Sequence, residues 1–132
     1  MEKIDLIVID DDKLTVNMIL SFLKDCDLSI LSFTNSTEGL DKVLEHRPRM
    51  VFLDLNMPEL NGDQLIIKLS EKYIFQTTSI FLISGAEFTE IQRMKMMTLG
   101  FDFIIKKPFN RKDLYQAIES VYGHVPLKKL AA

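Results

Sequence analysis

Arg49-Met50-Val51-Phe52-Leu53-Asp54-Leu55-Asn56-Met57-Pro58-Glu59-Leu60-Asn61-Gly62 is the stretch on which the fold turns. Met50 to Leu53 is a short apolar run holding a β-branched and an aromatic residue, with Pro48 upstream and Pro58 downstream. A run this short, bounded by breakers, reads as a strand buried on both faces, the kind found in parallel sheets. It ends on a carboxylate, Asp54, and Asn-Met-Pro-Glu-Leu-Asn-Gly then turns the chain towards a helix. Ligands of open α/β sheets gather outside the carboxyl ends of the strands. Taken alone, an acid at this place is more readily a helix cap or a solvated side chain, so the rest of the chain has to decide.

Upstream, Ile4-Asp5-Leu6-Ile7-Val8-Ile9 is a β-branched run that ends in Asp10-Asp11-Asp12, so the first strand also finishes on acid. Lys13 to Cys26 carries a helical pattern, with Met18, Ile19, Phe22 and Cys26 on one stripe and Leu14, Val16 and Leu20 away from it. Leu28 to Phe33 reads as the second strand, and Ser36 or Thr37 as the cap of a second helix running to about His46. Downstream, a helix is predicted from about Asp63 to Lys72 with Leu65, Ile66 and Leu69 on one face. A fourth strand, Ser79 to Ile83, ends at Ser84-Gly85-Ala86. The fourth helix, Thr89 to Leu99, stops at Gly100, with Ile91, Met94, Met97 and Thr98 expected towards the sheet and Met96 the opposite way. Phe101 to Lys106 is the fifth strand, followed by Lys107-Pro108-Phe109. The last helix runs from Arg111 to Tyr122, capped by Asn110, with Leu114, Ile118 and Val121 inward. Five alternations of strand and helix predict a doubly wound α/β sandwich with a five-stranded parallel sheet.

The totals agree with one domain: 132 residues, 47% hydrophobic and 27% charged. A formal charge of −3 offers no electrostatic footprint for nucleic acid or an anionic membrane, so neither is expected as a partner. The one cysteine, Cys26, lies in an apolar pattern and reads as core, and it allows no intrachain disulfide, as suits a cytoplasmic protein. No signal-peptide layout opens the chain and no apolar run approaches membrane-spanning length. Lys129-Leu130-Ala131-Ala132 resembles a translated cloning linker. The expected division is therefore a domain over residues 1–123 and a tail over 124–132, its last four residues vector-derived.

All strands of a parallel sheet point the same way, so their carboxyl ends share one edge. On that edge the sequence places Asp10 and Asp11, Asp54, Ser84 and Lys107. Three converging carboxylates repel one another, and a hard divalent ion such as Mg²⁺, with its preference for oxygen ligands, suits such a cluster. A carboxylate beside that ion can act as a nucleophile towards a phosphoryl group, with a lysine and a small hydroxyl to hold the phosphoryl oxygens. Each residue also has an ordinary reading: the acidic triplet as a solvated helix start, Ser84 as a turn, Lys107 beside Lys106 as surface charge. Four strand ends placing complementary chemistry by accident is the less economical account.

Val-Ile-Asp-Asp-Asp (8–12), Phe-Leu-Asp-Leu-Asn-Met-Pro…Asn-Gly (52–62), Ser-Gly-Ala (84–86) and Lys-Pro-Phe (107–109) together resemble the receiver domain of two-component response regulators, over about Lys3 to Tyr122. The resemblance implies a flavodoxin-like (βα)5 fold with strand order 2-1-3-4-5. It implies Asp54 as phosphoacceptor, and Asp10, Asp11, Asp54 and the backbone carbonyl of Asn56 as Mg²⁺ ligands. Ser84 becomes the switch hydroxyl with Gly85 after it, and Lys107 the phosphate-contacting lysine, joined to Pro108 by a cis peptide. The implied partners are a histidine kinase or a histidine phosphotransfer protein, and a second copy through the face of the fourth helix, fifth strand and last helix. Such a domain catalyses its own phosphorylation and dephosphorylation as a switch and is not a turnover enzyme. Two positions depart from the family pattern: Ile104 stands where a switch aromatic is usual, and Asn61 replaces the usual aspartate before Gly62. A rival reading is a haloacid-dehalogenase-like phosphatase, whose Asp-x-Asp is met by Asp10-Asp11-Asp12. Leu14 in place of Thr or Val, and the lack of an acidic pair after Lys107, weigh against it. A degenerate receiver used only for interaction is the third, opposed by the complete set of acids, Ser84 and Lys107.

Overall fold

The apolar runs become β1 (Leu6–Ile9), β2 (Ile30–Phe33), β3 (Met50–Asp54), β4 (Ser79–Ser84) and β5 (Phe103–Lys106). The computed structural model describes residues 3–54 and 62–129, and the side chains of 62–66 lie outside that description. The five strands form one sheet in the order β2-β1-β3-β4-β5, every pair parallel. The three inner strands are buried almost throughout, whereas the edge strands β2 and β5 are partly open. Helices fill the connections: α1 (Lys13–Phe22), α2 (Ser36–His46), α3 (Gly62–Glu71), α4 (Ile74–Thr77), α5 (Glu90–Thr98) and α6 (Arg111–Tyr122).

Because successive side chains of a strand point to opposite faces, each run feeds two cores. Ile7, Ile9, Val51, Leu53, Ile80, Leu82 and Ile104 meet Leu40 and Val43 of α2, Leu69 of α3 and Ile74 of α4 on one face. Leu6, Val8, Met50, Phe52, Phe81, Ile83 and Ile105 meet Ile19 of α1 and Leu114, Ala117 and Ile118 of α6 on the other. Each fully buried Leu or Ile contributes about 1.5–3 kcal/mol, so the unbroken burial of β1 and β3 accounts for the central position of these strands.

The helix ends follow their caps. Asp12 accepts from Leu14 N, Thr89 and Gln92 form a capping box on α5, and Asn110 and Asp113 form one on α6. For α2 the cap is Asn35, one residue before the expected Ser36 or Thr37. Its side-chain Oδ1 accepts from Glu38 N, and Ser36 is buried as the first helical residue. The strand expected from Leu28 begins at Ile30, Ser29 N being taken by the Asp5 carboxylate at 2.8 Å. Phe101 is buried just ahead of β5. The one-turn α4 was not predicted; it starts after Tyr73, whose φ is 54°, and sends Ile74 fully into the core. The positions expected at Leu65 and Ile66 lie outside the described residues.

Two helices differ from the expected setting, α1 in part and α5 throughout. α1 ends at Phe22; of the expected stripe Ile19 and Cys26 are buried and Phe22 packs on the core, but Met18 is exposed, and Thr15, Val16 and Leu23 are buried as well. α1 shares its face of the sheet with α6, and Ile19 and Leu23 join Leu114 and Ile118 in one core. In α5 the expectation is inverted. Ile91, Met94 and Met97 are 79%, 61% and 50% exposed, and Met96 and Leu99 pack on the core instead. The turn after α5 sets this rotation. Gly100, at φ 115°, lies against the Phe75 ring, and Phe101 N donates to Met96 O at 3.3 Å, which draws Met96 and Leu99 to the sheet.

After Gly123 the chain returns beside the end of α1. Asp27 N donates to Pro126 O at 2.9 Å and Lys128 N to Asp25 O at 2.8 Å, with Cys26 opposite Leu127. Cys26 is buried there, and desolvation pushes its thiol pKa up.

Gly39 is where α2 comes closest to the sheet: a Cβ there would stand 2.8 Å from Cγ1 and Cδ1 of Ile9, a fully buried and β-branched side chain. Gly39→Ala is therefore expected to destabilise the protein by about 1–3 kcal/mol by overpacking, although helix propensity alone would favour alanine by about 1 kcal/mol. Urea unfolding reads the difference, and a midpoint equal to or above the parent's would show that α2 can simply move away.

Candidate functional site

Asp10 directly follows β1 and is fully buried. One of its carboxylate oxygens accepts from Asp12 N at 2.9 Å. The other accepts no hydrogen bond among the described residues and faces Lys107 Nζ at 3.3 Å. Asp54, the last residue of β3, is 2% exposed and has the same ammonium 3.8 Å away. Asp11 is exposed at the rim. Each of Asp10, Asp11 and Asp54 offers a carboxylate oxygen, and these oxygens all lie within 4.8 Å of one another. Parallel topology brings them together: β1 and β3 are neighbours in register, Ile9 beside Leu53.

Lys107 arrives from the other side of the sheet. Its N–H donates to Ser84 O at 2.8 Å, which fixes the start of the β5–α6 connection against the end of β4, and the Lys107–Pro108 peptide is cis. Ser84 is 1% exposed, and its Oγ accepts from Ala86 N at 3.1 Å. Gly85 is exposed, and a Cβ there would lie 3.9 Å from Lys107 Cβ. Asn56 lies outside the described residues. Ile104 is buried in the core on the α5 side, and its neighbour Phe103 is exposed.

Of the acidic triplet, Asp12 stands apart from the cluster as the α1 cap. Its pKa is held down first by the Thr15 hydroxyl and then by Leu14 N–H. A contact that the sequence did not suggest, Lys106 with Glu87, ties the β4–α5 loop to the end of β5.

Two buried carboxylates, Asp10 and Asp54, face the Lys107 ammonium, and Asp11 stands beside them at the rim. Three acids this close together repel one another, and taking two of them out of water costs hydration. The donor set fits a hard divalent cation: oxygens only, closely grouped, with one buried oxygen of Asp10 accepting no hydrogen bond.

A family model, the response regulator receiver domain, matches residues 6–119. The chain belongs to that family, the receiver domains of two-component response regulators. It is similar to protein PilG of Pseudomonas aeruginosa, 27% identical over 119 residues that cover 90% of this chain and 85% of PilG. It is also similar to response regulator Rre1 of Synechocystis, 28% identical over 91% of this chain, and to the TorCAD operon regulatory protein TorR of Escherichia coli O157:H7, 24% identical over 96%. It spans only about half of those two, 52% and 53%. Among solved structures, chemotaxis protein CheY4 of Vibrio cholerae superposes with a TM-score of 0.77 at 20% identity, over 91% of this chain and 99% of that one. A response regulator receiver protein of Burkholderia phymatum superposes at 0.73 and 25% identity, over 95% and 100%.

Lys107 makes a measurable demand on stability. Without divalent cation, Lys107→Met is expected to cost about 2–4 kcal/mol, because the buried Asp10 carboxylate loses an ammonium at 3.3 Å and Asp54 one at 3.8 Å. Adding Asp10→Asn to that variant should recover a large part of the loss. Urea unfolding of the two single variants and the double variant gives the coupling, and strictly additive effects would mean that Lys107 and Asp10 do not interact.

Proposed function

We propose that this receiver domain accepts a phosphoryl group on Asp54 and uses it to switch an output face. The observation that carries the reading is Asp54 at the end of the central strand, with carboxylate oxygens of Asp10 and Asp11 within 4.8 Å and Lys107 Nζ at 3.8 Å. A carboxylate oxygen of Asp54 attacks phosphorus, the bond from phosphorus to the donor atom breaks, and the donor leaves with that electron pair. The Lys107 ammonium pairs with a phosphoryl oxygen. The Ser84 hydroxyl, whose oxygen accepts from Ala86 N, keeps its proton to donate to another. Asp10, Asp11 and Asp54, with the backbone carbonyl of Asn56, would hold Mg²⁺, which when bound offsets the negative charge of carboxylates and phosphoryl oxygens together. The donor is a histidine kinase or a histidine phosphotransfer protein in the cytoplasm. The domain catalyses only its own phosphorylation and dephosphorylation. No helix among the described residues is long and apolar enough to cross a membrane.

Acetyl phosphate with Mg²⁺ should add one phosphoryl mass, labile to hydroxylamine, with acetate released, and Asp54→Asn should abolish it. An adduct that survives Asp54→Asn and disappears with Asp10→Asn would instead assign the nucleophile to β1, as in the phosphatase reading.

The output side of the proposal is a second copy of the chain. Four large apolar side chains, Ile91, Met94 and Met97 on α5 and Phe103 on β5, are half or more exposed, and this helix and edge strand are consecutive in the chain. Ile104 is aliphatic, so no ring swings at that position. The change is carried by the Gly85–Phe88 loop and α5. Beryllofluoride, standing in for the phosphoryl group, should raise the sedimentation-derived mass, and Met94→Glu should hold the protein monomeric with Asp54 phosphorylation unchanged. A monomer in both states removes the dimer and leaves phosphorylation untouched.

A further inference from the structure

Between the edge strand β5 and α6 lies a cavity of about 630 Å³. That is the size range of sites for small organic ligands. Phe81, Ile105 and Ala117, all buried, line it together with Phe103, which is 56% exposed. A phenyl ring this exposed on an edge strand gains little from folding, so its place beside a cavity is informative.

The charges that line the cavity number two of each sign but are differently partnered. Its two ammonium groups already have carboxylate partners outside it: Lys106 pairs with Glu87, and Lys107 lies 3.3 Å from Asp10 and 3.8 Å from Asp54. Its two carboxylates have none. Asp102 accepts from Ile80 N at 2.8 Å and Asp113 from Asn110 N at 2.9 Å, and among the described residues neither meets a cation. Asp102 reaches the surface, yet desolvation on its sheet side raises its carboxyl pKa, with the Ile80 N–H pulling the other way. The cavity therefore joins an apolar and aromatic lining to two carboxylates that no cation of the described residues pairs with, its own two lysines being turned to other acids.

We propose that this cavity binds an organic cation, a planar guanidinium or amidinium on an aromatic or alkyl body, with its head against Asp102 and its body against Phe103. A planar head can give two parallel N–H bonds to one carboxylate, and its face can stack on a phenyl ring. An ammonium offers neither. Ser79 and Ser120 also line the cavity. Binding at this place does not depend on phosphorylation of Asp54 and is measured without a phosphodonor.

Benzamidine is the probe. Titrated into the full chain, it should give saturable ¹⁵N–¹H shifts centred on Asp102, Phe103, Ala117 and Val121, and benzyl alcohol, its neutral counterpart in size, should not. Asp102→Asn keeps an acceptor for the Ile80 N–H and removes the charge, and it should weaken binding about tenfold or more. Phe103→Ala, at a side chain whose removal leaves the core intact, should also weaken binding several-fold and serves if Asp102→Asn does not fold. No saturable shift at benzamidine concentrations on the order of 10 mM, well past the millimolar range of weak ligands, would overturn the proposal. Equal affinity in the parent and in whichever of these variants folds would overturn it too.

Discussion

Lys107 Nζ stands 3.3 Å from one buried carboxylate and 3.8 Å from another, Asp10 and Asp54, on strands that are adjacent in the sheet. Two acids taken out of water this close together are tolerable only with positive charge between them. The backbone has to deliver that charge from β5, two strands beyond β3. Hence the bond from Lys107 N–H to Ser84 O, which joins the last strand end to the fourth and aims the lysine back across the edge. The order β2-β1-β3-β4-β5 is in this sense a requirement of the site as much as of the core. It puts β1 and β3 side by side, and it leaves β4 to carry a hydroxyl between the acids and the lysine.

The same edge explains why so much was legible from the amino acids. A strand end needs only a run of apolar residues and a point at which it stops, and Ile9, Leu53, Ile83 and Lys106 mark those points almost to the residue. Once the strands are parallel, Asp10, Asp54, Ser84 and Lys107 converge whatever the details of the helices. Helix rotation is a different matter. α1 carries more apolar positions than one face of a sheet can cover, so periodicity alone does not separate Met18, which is exposed, from Val16, which is buried. In α5 the stripe with more apolar residues, Ile91–Met94–Met97, is the one left outside, because the turn at Gly100 and Phe101 anchors the other. A short segment such as α4 has no period to read at all.

Ile104 and Phe103 show how one position changes the meaning of its neighbour. Alternation along β5 sends residue 104 into the α5-side core and residue 103 towards α6. An aliphatic side chain at 104 packs with Leu82 and Phe101, and the ring sits instead at 103, half in water beside the cavity. The aromatic is present in this strand, but on the opposite face from the one the receiver pattern uses.

α5 contains no fully buried side chain, unlike α1, α2 and α6, and is held by the partial burial of Met96 and Leu99 together with the capping box at Thr89. Few apolar contacts mean a small free energy of local opening. Its amides should thus exchange with solvent deuterium ahead of those in α1, α2 and α6, through openings that leave the sheet intact. A segment that comes away this easily can take up a new arrangement at little energetic cost, so a modest push from the strand end is enough to move it.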